Sequence, residues 1–308
     1  MIKEQFIFNG YEDTPLYAVC WLPEGEIKGV LQITHGMTEH VERYADFAGF
    51  LTQKGIAVAG FDLRGHGHNH GNGKVASLGE KGWAASLEDM HLFFTHLQRK
   101  FGEVPHYMLG FSLGSFLVRE YLGLWPQKIA GAVIMGTGSQ PGLILSVIMK
   151  VVKGQVKKAG WDNTTELVKQ LSFGTYNQKC RPNRTQADWL CADTQQLDRY
   201  LADPLVRADI SAGLFYQLLA SMKRTGKVKT YAGWNKELPV LLLSGQTDPV
   251  GDGGKGVLAV KAGMQKAGIG NVTLQLLEGA RHDLLHEYAS GAAESVQQLI
   301  AQWITEKR

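Results

Sequence analysis

Ser112 lies in the hexapeptide GFSLGS, residues 110–115, and a serine held between glycines at that spacing is a candidate nucleophile. The G-x-S-x-G pattern also recurs by chance in a glycine-rich chain, and 37 of the 308 residues here are glycine, so its surroundings have to decide. A serine hydroxyl is a weak nucleophile: it needs a base to take its proton, and the base needs an acid to orient it. Asp248 in SGQTDPV and His282 in EGARHDLL follow Ser112 in the order serine, acid, base, each just beyond an apolar run. Acyl transfer from such a serine passes through an oxyanion that calls for two backbone N–H donors. Leu113, directly after the serine, would supply one, and Met37 in the turn THGM would supply the other. Plainer readings compete at two positions. Asp248 precedes a proline and fits a turn, with Asp252 as rival for its role, and His282 fits a surface loop.

These residues need a scaffold that brings run ends together. GVLQITHG (29–36) and IAVAGFDLRGHG (56–67) are β-branched apolar runs that end in glycine, as buried strands do. VERYADFAGFLTQKG (41–55) and SLEDMHLFFTHLQRKFG (86–102) carry apolar residues at helical spacing and close on glycine. HYMLGFSLGSFLVREYL reads as strand before Ser112 and helix after it, and IAGAVIMGTG (129–138) is the next strand. Such alternation predicts a mostly parallel sheet with helices on both faces, and QFIFNGYEDTPLYAVCWLP an antiparallel hairpin at its edge. In that architecture Ser112, Asp248 and His282 all fall at carboxyl ends of strands, where open α/β sheets place their sites.

The rhythm breaks after residue 139. Residues 140–237 read as helical and carry 15 Lys and Arg against 8 Asp and Glu, whereas the whole chain is only +3. Strand–helix alternation resumes with LPVLLLSGQTDPV (238–250), a helix near 255–268, the strand NVTLQLLEG (271–279) and a last helix to residue 308. The division expected is therefore an α/β core of 1–139 and 238–308 with a basic helical insertion between. No apolar run is long enough to span a membrane, MIKEQFIFNG lacks the long apolar stretch and small-residue cleavage site expected of a signal peptide, and a net charge of +3 gives no reason to expect nucleic acid. Cys20, Cys180 and Cys191 are too few for a disulfide framework or a zinc site and are expected as reduced thiols in a cytoplasmic protein, with a Cys180–Cys191 bridge left open.

Taken together, THGMTEHVERY, FDLRGHG, GFSLGS and the Asp248 and His282 loops resemble the α/β-hydrolase superfamily. More narrowly, they resemble its monoacylglycerol lipase and lysophospholipase branch, which is grouped with serine aminopeptidase-like hydrolases. The resemblance covers essentially the whole chain and is most specific in H-G-x-x-E-H-x-x-R-Y. It implies an eight-stranded, mostly parallel sheet and a helical cap (lid) inserted after the sixth strand at 140–237. It also implies a serine carboxylic-ester hydrolase that needs neither cofactor nor metal and acts on a small acyl ester. By position in the motif, Glu39 and Arg43 would lie near the polar head of the substrate, although an i, i+4 ion pair fixing the loop explains them slightly better. His286, four residues past His282, is placed to line the pocket.

GHGHNHG (65–71) invites a metal reading through His66, His68 and His70, but no acidic or cysteine ligand follows nearby, and Asp62 is expected to pair with Arg64. GLILSVIMKVVKGQVKK (142–158) puts Ser146, Lys150, Lys153 and Lys157 on one stripe of an otherwise apolar helix. Such a helix suits either a buried cap element or a lid leaning on an anionic membrane surface, and it favours a medium or long acyl chain. The rival functions are an amidase or aminopeptidase using the same triad, which would need an acidic group in the cap, and a non-catalytic binding protein. A dehalogenase or epoxide hydrolase would need aspartate at 112. Oligomeric state is not encoded in any of these features.

Overall fold

The computed structural model describes residues 1–71, 73, 75–126 and 129–306. Its eight strands are β1 (Ile2–Asn9), β2 (Pro15–Leu22), β3 (Gly29–Thr34), β4 (Ile56–Phe61), β5 (His106–Phe111), β6 (Gly131–Met135), β7 (Val240–Gly245) and β8 (Val272–Leu277). They form one sheet in the order β1-β2-β4-β3-β5-β6-β7-β8. β1 and β2 pair antiparallel, β2 joins β4 antiparallel, and the rest of the sheet is parallel. The alternation of the sequence is thereby realised, with the hairpin at one edge.

Every residue of β3 to β7 is buried, the signature of strands covered on both faces. Successive side chains divide between the two layers: Val30 joins the core on one side of the sheet and Leu31 the core on the other. α1 (Ala45–Thr52) and α10 (Ala292–Glu306) cover one face through Phe47, Leu51, Val296 and Ile300. α2 (Gly82–Phe101) and α3 (Leu113–Leu124) cover the other. Each aliphatic side chain so buried contributes about 1.5–3 kcal/mol. The expected helix 41–55 is shorter than its apolar pattern: Val41–Tyr44 form a 3-10 turn because the Val41 N–H is drawn to Asp62 Oδ1, and the α-helix ends at Thr52. The last two residues of the expected C-terminal helix lie outside the described residues.

Between β6 and β7 every named element is helical. These are α4 (Gly142–Ala159), α5 (Glu166–Lys169), α6 (Thr175–Gln178), α7 (Thr194–Ala202) and α8 (Ala212–Thr225), with α9 (Lys255–Lys266) following β7. Arg119 of α3 stitches both ends of this segment to the helix that follows Ser112. Its fully buried guanidinium donates to Thr137 Oγ1 (3.0 Å) and the Gly138 carbonyl (3.1 Å) at one end, and to the Thr225 carbonyl (2.8 Å) and Tyr231 hydroxyl (2.6 Å) at the other. All three cysteines are free thiols, Cys180 and Cys191 included.

Candidate active site

β5 ends at Phe111 and α3 opens at Leu113, so Ser112 is the single residue of a strand-to-helix turn. Its backbone sits at φ +50°, ψ −114°, a strained conformation for a residue with a side chain, at a cost of about 1–3 kcal/mol. Close packing holds it there: the Ser112 N–H donates to the Met135 carbonyl at 3.0 Å. A Cβ on Gly114 would stand 2.0 Å from the Thr34 carbonyl oxygen, which is why the turn requires glycine after the serine. The first turn of α3 directs its free N–H groups toward the space in front of the hydroxyl.

Asp248 follows β7 and His282 follows β8, so both reach the carboxyl edge of the sheet where Ser112 stands. Both are fully buried, and His282 Nδ1 lies 2.9 Å from Asp248 Oδ2. The other carboxylate oxygen accepts the Val250 N–H at 2.8 Å, so the acid is fixed at both ends. A proton on Nδ1, facing the carboxylate, leaves Nε2 with its lone pair. Among the described residues Nε2 has no hydrogen-bond partner, and it shares a pocket with Ser112. The imidazole is held between the rings of Phe111 (4.9 Å between centroids) and Trp189 (5.0 Å). Asp252, the rival acid, is half-exposed and reaches Lys179 at 3.3 Å instead.

Met37 lines the pocket with Ser112 and Leu113 opens α3 directly after it, and among the described residues neither backbone N–H is bonded to an acceptor. The loop carrying Met37 is heavily braced. Glu39 accepts the Gly36 N–H (2.6 Å), the Tyr44 hydroxyl (2.8 Å) and the Arg43 guanidinium, and Arg43 continues to Asp283 at 3.0 Å. Burial works against the Arg43 charge, but Glu39 and Asp283 outweigh it and hold its pKa above the ordinary value. His35 packs beneath the same loop, and burial lowers its pKa to about 4; the neutral ring accepts the Leu63 N–H at Nε2 and donates from Nδ1 to the Gly36 carbonyl. The helical segment grips this loop from above. Tyr200 Oη meets Thr38 Oγ1 at 2.6 Å, His40 Nε2 meets Asp203 at 2.7 Å, and Thr38 is held at φ +67°.

The structure brings Ser112, His282, Met37, Glu39 and Arg43 to one pocket, with Asp248 behind the histidine. It does not bring His286 to that wall. His286 sits behind Arg43, bonded through Nδ1 to Asp283 (2.8 Å) and through Nε2 to the Arg43 carbonyl (3.2 Å). The expected Asp62–Arg64 pair is also absent. Arg64 turns to Asp89 (2.6 Å), while Asp62 accepts the Val41 and His68 N–H groups and faces the His68 ring. A carboxylate surrounded by backbone donors is already satisfied, which frees the arginine for another partner. Phe173, Trp189 and Leu190 also line the pocket, and nothing in the local pattern of the helical segment distinguishes them from packing residues.

A parallel sheet with a strained serine elbow and an acid–histidine pair at its carboxyl edge defines the α/β-hydrolases. The same architecture recurs in a thermostable carboxyl esterase from Bacillus coagulans, with a TM-score of 0.90, 23% identity and 99% coverage of both chains. Residues 25–289 match the model of the serine aminopeptidase family S33, and the chain belongs to that family. The monoglyceride lipases of Rattus norvegicus and Homo sapiens are 24% and 25% identical to it over 307 aligned residues, covering 96% of this chain and 92% of theirs. Fold, family and relatives together make this chain a serine ester hydrolase.

Proposed function

We propose that the protein hydrolyses single-chain acyl esters of the monoacylglycerol and lysophospholipid type, with Ser112 as nucleophile. His282 Nε2 takes the hydroxyl proton as Oγ attacks the ester carbonyl, and Asp248 stabilises the imidazolium that forms. The Met37 and Leu113 N–H groups receive the oxyanion. The tetrahedral intermediate collapses when His282 returns the proton to the leaving alcohol, and water repeats the sequence on the acyl-enzyme. The observation that carries this reading is the orientation of His282: one nitrogen is held by a buried acid and the other, in the pocket of Ser112, has no partner among the described residues. An aminopeptidase would need a free carboxylate there for the substrate amine. Of the carboxylates on the pocket wall and behind it, Glu39 and Asp283 are taken by Arg43 and Asp248 by His282.

The space in front of Ser112 amounts to about 10 Å³, room for about one water, so Phe173, Trp189 and Leu190 must move before an ester enters. We infer that residues 140–237 act as a mobile cap. α4 packs on α8 through Leu145, Val152 and Val156, and on its outer side it exposes Leu143 (85%), Val147 (64%), Ile144 (52%) and Val151 (42%) beside Lys150, Lys153 and Lys157. An apolar strip bordered by lysines suits a helix lying on an anionic lipid surface. No described helix is long and apolar enough to cross a membrane.

Hydrolysis of p-nitrophenyl esters with two to sixteen carbons tests the substrate class: kcat/KM rises to a maximum at eight carbons or longer, whereas activity confined to acetate and butyrate contradicts a lipid substrate. Sedimentation with phosphatidylglycerol vesicles tests the docking face. The double variant Leu143→Asp, Val147→Asp binds at least about tenfold more weakly while hydrolysing p-nitrophenyl butyrate at the wild-type rate. Equal binding by the variant removes α4 from the interface.

A further inference from the structure

A second cavity opens inside the cap and shares Phe173, Trp189, Leu190 and Tyr200 with the pocket of Ser112. At about 1070 Å³ it is far larger than the space over the serine. Its lining includes the amides of Gln170, Asn177, Gln178 and Asn183. Asn177 and Asn183 are held by backbone partners, but among the described residues the side chains of Gln170 and Gln178 have none. An alkyl chain against those two would strip their water without replacing its hydrogen bonds, whereas a polar head group would replace them. The cavity therefore suits the alcohol side of an ester better than its acyl side.

The charges in the cavity are not balanced alike. Lys169 is paired with Asp209 at 2.7 Å, and Arg184 with Asp198 at 2.6 Å. Glu166, the other carboxylate of the lining, is exposed on the first turn of α5. Arg207 differs from both other cations: among the described residues no carboxylate lies within ion-pair distance of it. Its side chain makes one long bond, from Nη1 to the Pro204 carbonyl at 3.3 Å, and Nε is enclosed without an acceptor. An enclosed, unsatisfied donor costs about 1–3 kcal/mol, more when it belongs to a charged group. The outward Nη1–H and Nη2–H of a guanidinium lie parallel, an end-on geometry that takes two oxygens of a phosphate. Arg207 is also close to the chemistry, since its backbone N–H donates to the Thr38 carbonyl at 2.9 Å, next to Met37.

We propose that the cap cavity is a head-group site and that Arg207 grips a phosphate there, so that the preferred substrate is a single-chain acyl ester whose alcohol carries a phosphate. This rests on the ester-hydrolase reading above and selects among its substrates. Because the Thr38 contact is made by the backbone, a side-chain substitution at 207 leaves it in place.

The test compares kcat/KM on 1-oleoyl lysophosphatidic acid, 1-oleoyl glycerol and 1-oleoyl lysophosphatidylcholine in the same mixed micelles, for wild type, Arg207→Gln and Arg207→Lys. Wild type prefers the phosphate monoester over the glycerol ester by tenfold or more. Arg207→Gln lowers that ratio at least tenfold, mainly through KM on the phosphate substrate, and Arg207→Lys restores part of it. Calorimetry with glycerol 3-phosphate reads the site without turnover: it binds wild type and not Arg207→Gln. If glycerol 3-phosphate binds but lysophosphatidic acid is not preferred, the site serves a free phosphate and the substrate assignment fails. A wild-type preference for the glycerol or choline head overturns the proposal, as does a variant that loses all three substrates alike. Turnover of p-nitrophenyl butyrate by the wild type separates these outcomes from failure of the ester-hydrolase reading itself, which would abolish that reaction too.

Discussion

Ser112→Ala lowers kcat on any ester that the wild type cleaves by roughly 10⁴- to 10⁶-fold, with KM near the wild-type value. The substitution removes only the hydroxyl. Ser112 is 7% exposed, and its backbone bonds to Met135 and from Ser115 Oγ do not involve the side chain's oxygen. The elbow should therefore keep its shape, with Leu113 and Met37 still able to receive an oxyanion and with whatever substrate contacts the pocket provides. What disappears is the covalent route, leaving the much smaller acceleration that the donors supply alone. Thermal stability stays within about 1 kcal/mol of wild type, because alanine tolerates the turn about as well as serine does. A large loss of kcat together with unfolding would be uninformative, so circular dichroism accompanies the rate measurement; an activity within tenfold of wild type in a folded variant refutes Ser112 as nucleophile.

Asp248→Asn costs kcat about 10⁴-fold, and for a different reason. The amide has the size of the carboxylate and can still accept the Val250 N–H that Oδ1 accepts at 2.8 Å. Toward His282, however, an amide that presents its NH₂ group forces the proton of the imidazole from Nδ1 to Nε2. The nitrogen that faces Ser112 would then be a donor and could not take the hydroxyl proton. The imidazolium that forms during attack would also lose its buried counter-charge, 2.9 Å away in the wild type. Two features distinguish this outcome from general damage. KM is little changed, and the loss is partly recovered at high pH, where hydroxide can take over from the disabled base. Asp252→Asn, by contrast, leaves kcat unchanged, since that carboxylate reaches Lys179 outside the pocket. If the two substitutions exchanged effects, the acid would have been misassigned.

Much of this architecture was legible because it depends on local periodicity. Apolar runs such as IAVAGF and VLLLSG sit in strands buried on both faces, and no amphipathic helix would show that pattern. The elbow was legible for a related reason. Strand residues before Ser112 and helix residues after it leave one position for the turn, and Gly114 permits the close approach to Thr34. Asp248 and His282 are legible from their order after Ser112 and their places at strand ends, without knowledge of their separation. The surroundings of Arg43 were not legible in the same way. Its contact with Asp283 spans 240 positions, and its stacking with Tyr200 crosses from the core into the helical segment. Contacts of that kind leave no spacing signature.

Arg64 and His286 went astray for one shared reason. Sequence neighbours suggested Asp62 for the arginine and the pocket for the histidine, but each neighbour was already committed elsewhere. Asp62 holds the Val41 and His68 N–H groups, and Asp283 turns His286 toward the Arg43 carbonyl. Hydrogen-bond satisfaction is settled over the whole fold, and a buried carboxylate goes to the donors that burial brings to it. The same rule draws attention to Arg207, which among the described residues has no carboxylate within ion-pair distance and no acceptor for Nε.

Active-site labelling tests, without knowledge of the substrate, whether Ser112 is a nucleophile activated by His282. The purified protein is treated with a fluorophosphonate, its intact mass is measured, and the adduct is mapped by peptide sequencing. One adduct forms per chain, on the peptide that contains GFSLGS, and it is absent in Ser112→Ala and slowed at least about 10³-fold in His282→Ala. An unlabelled protein, or an adduct on any other residue, would contradict the assignment and with it the mechanism built on this pocket.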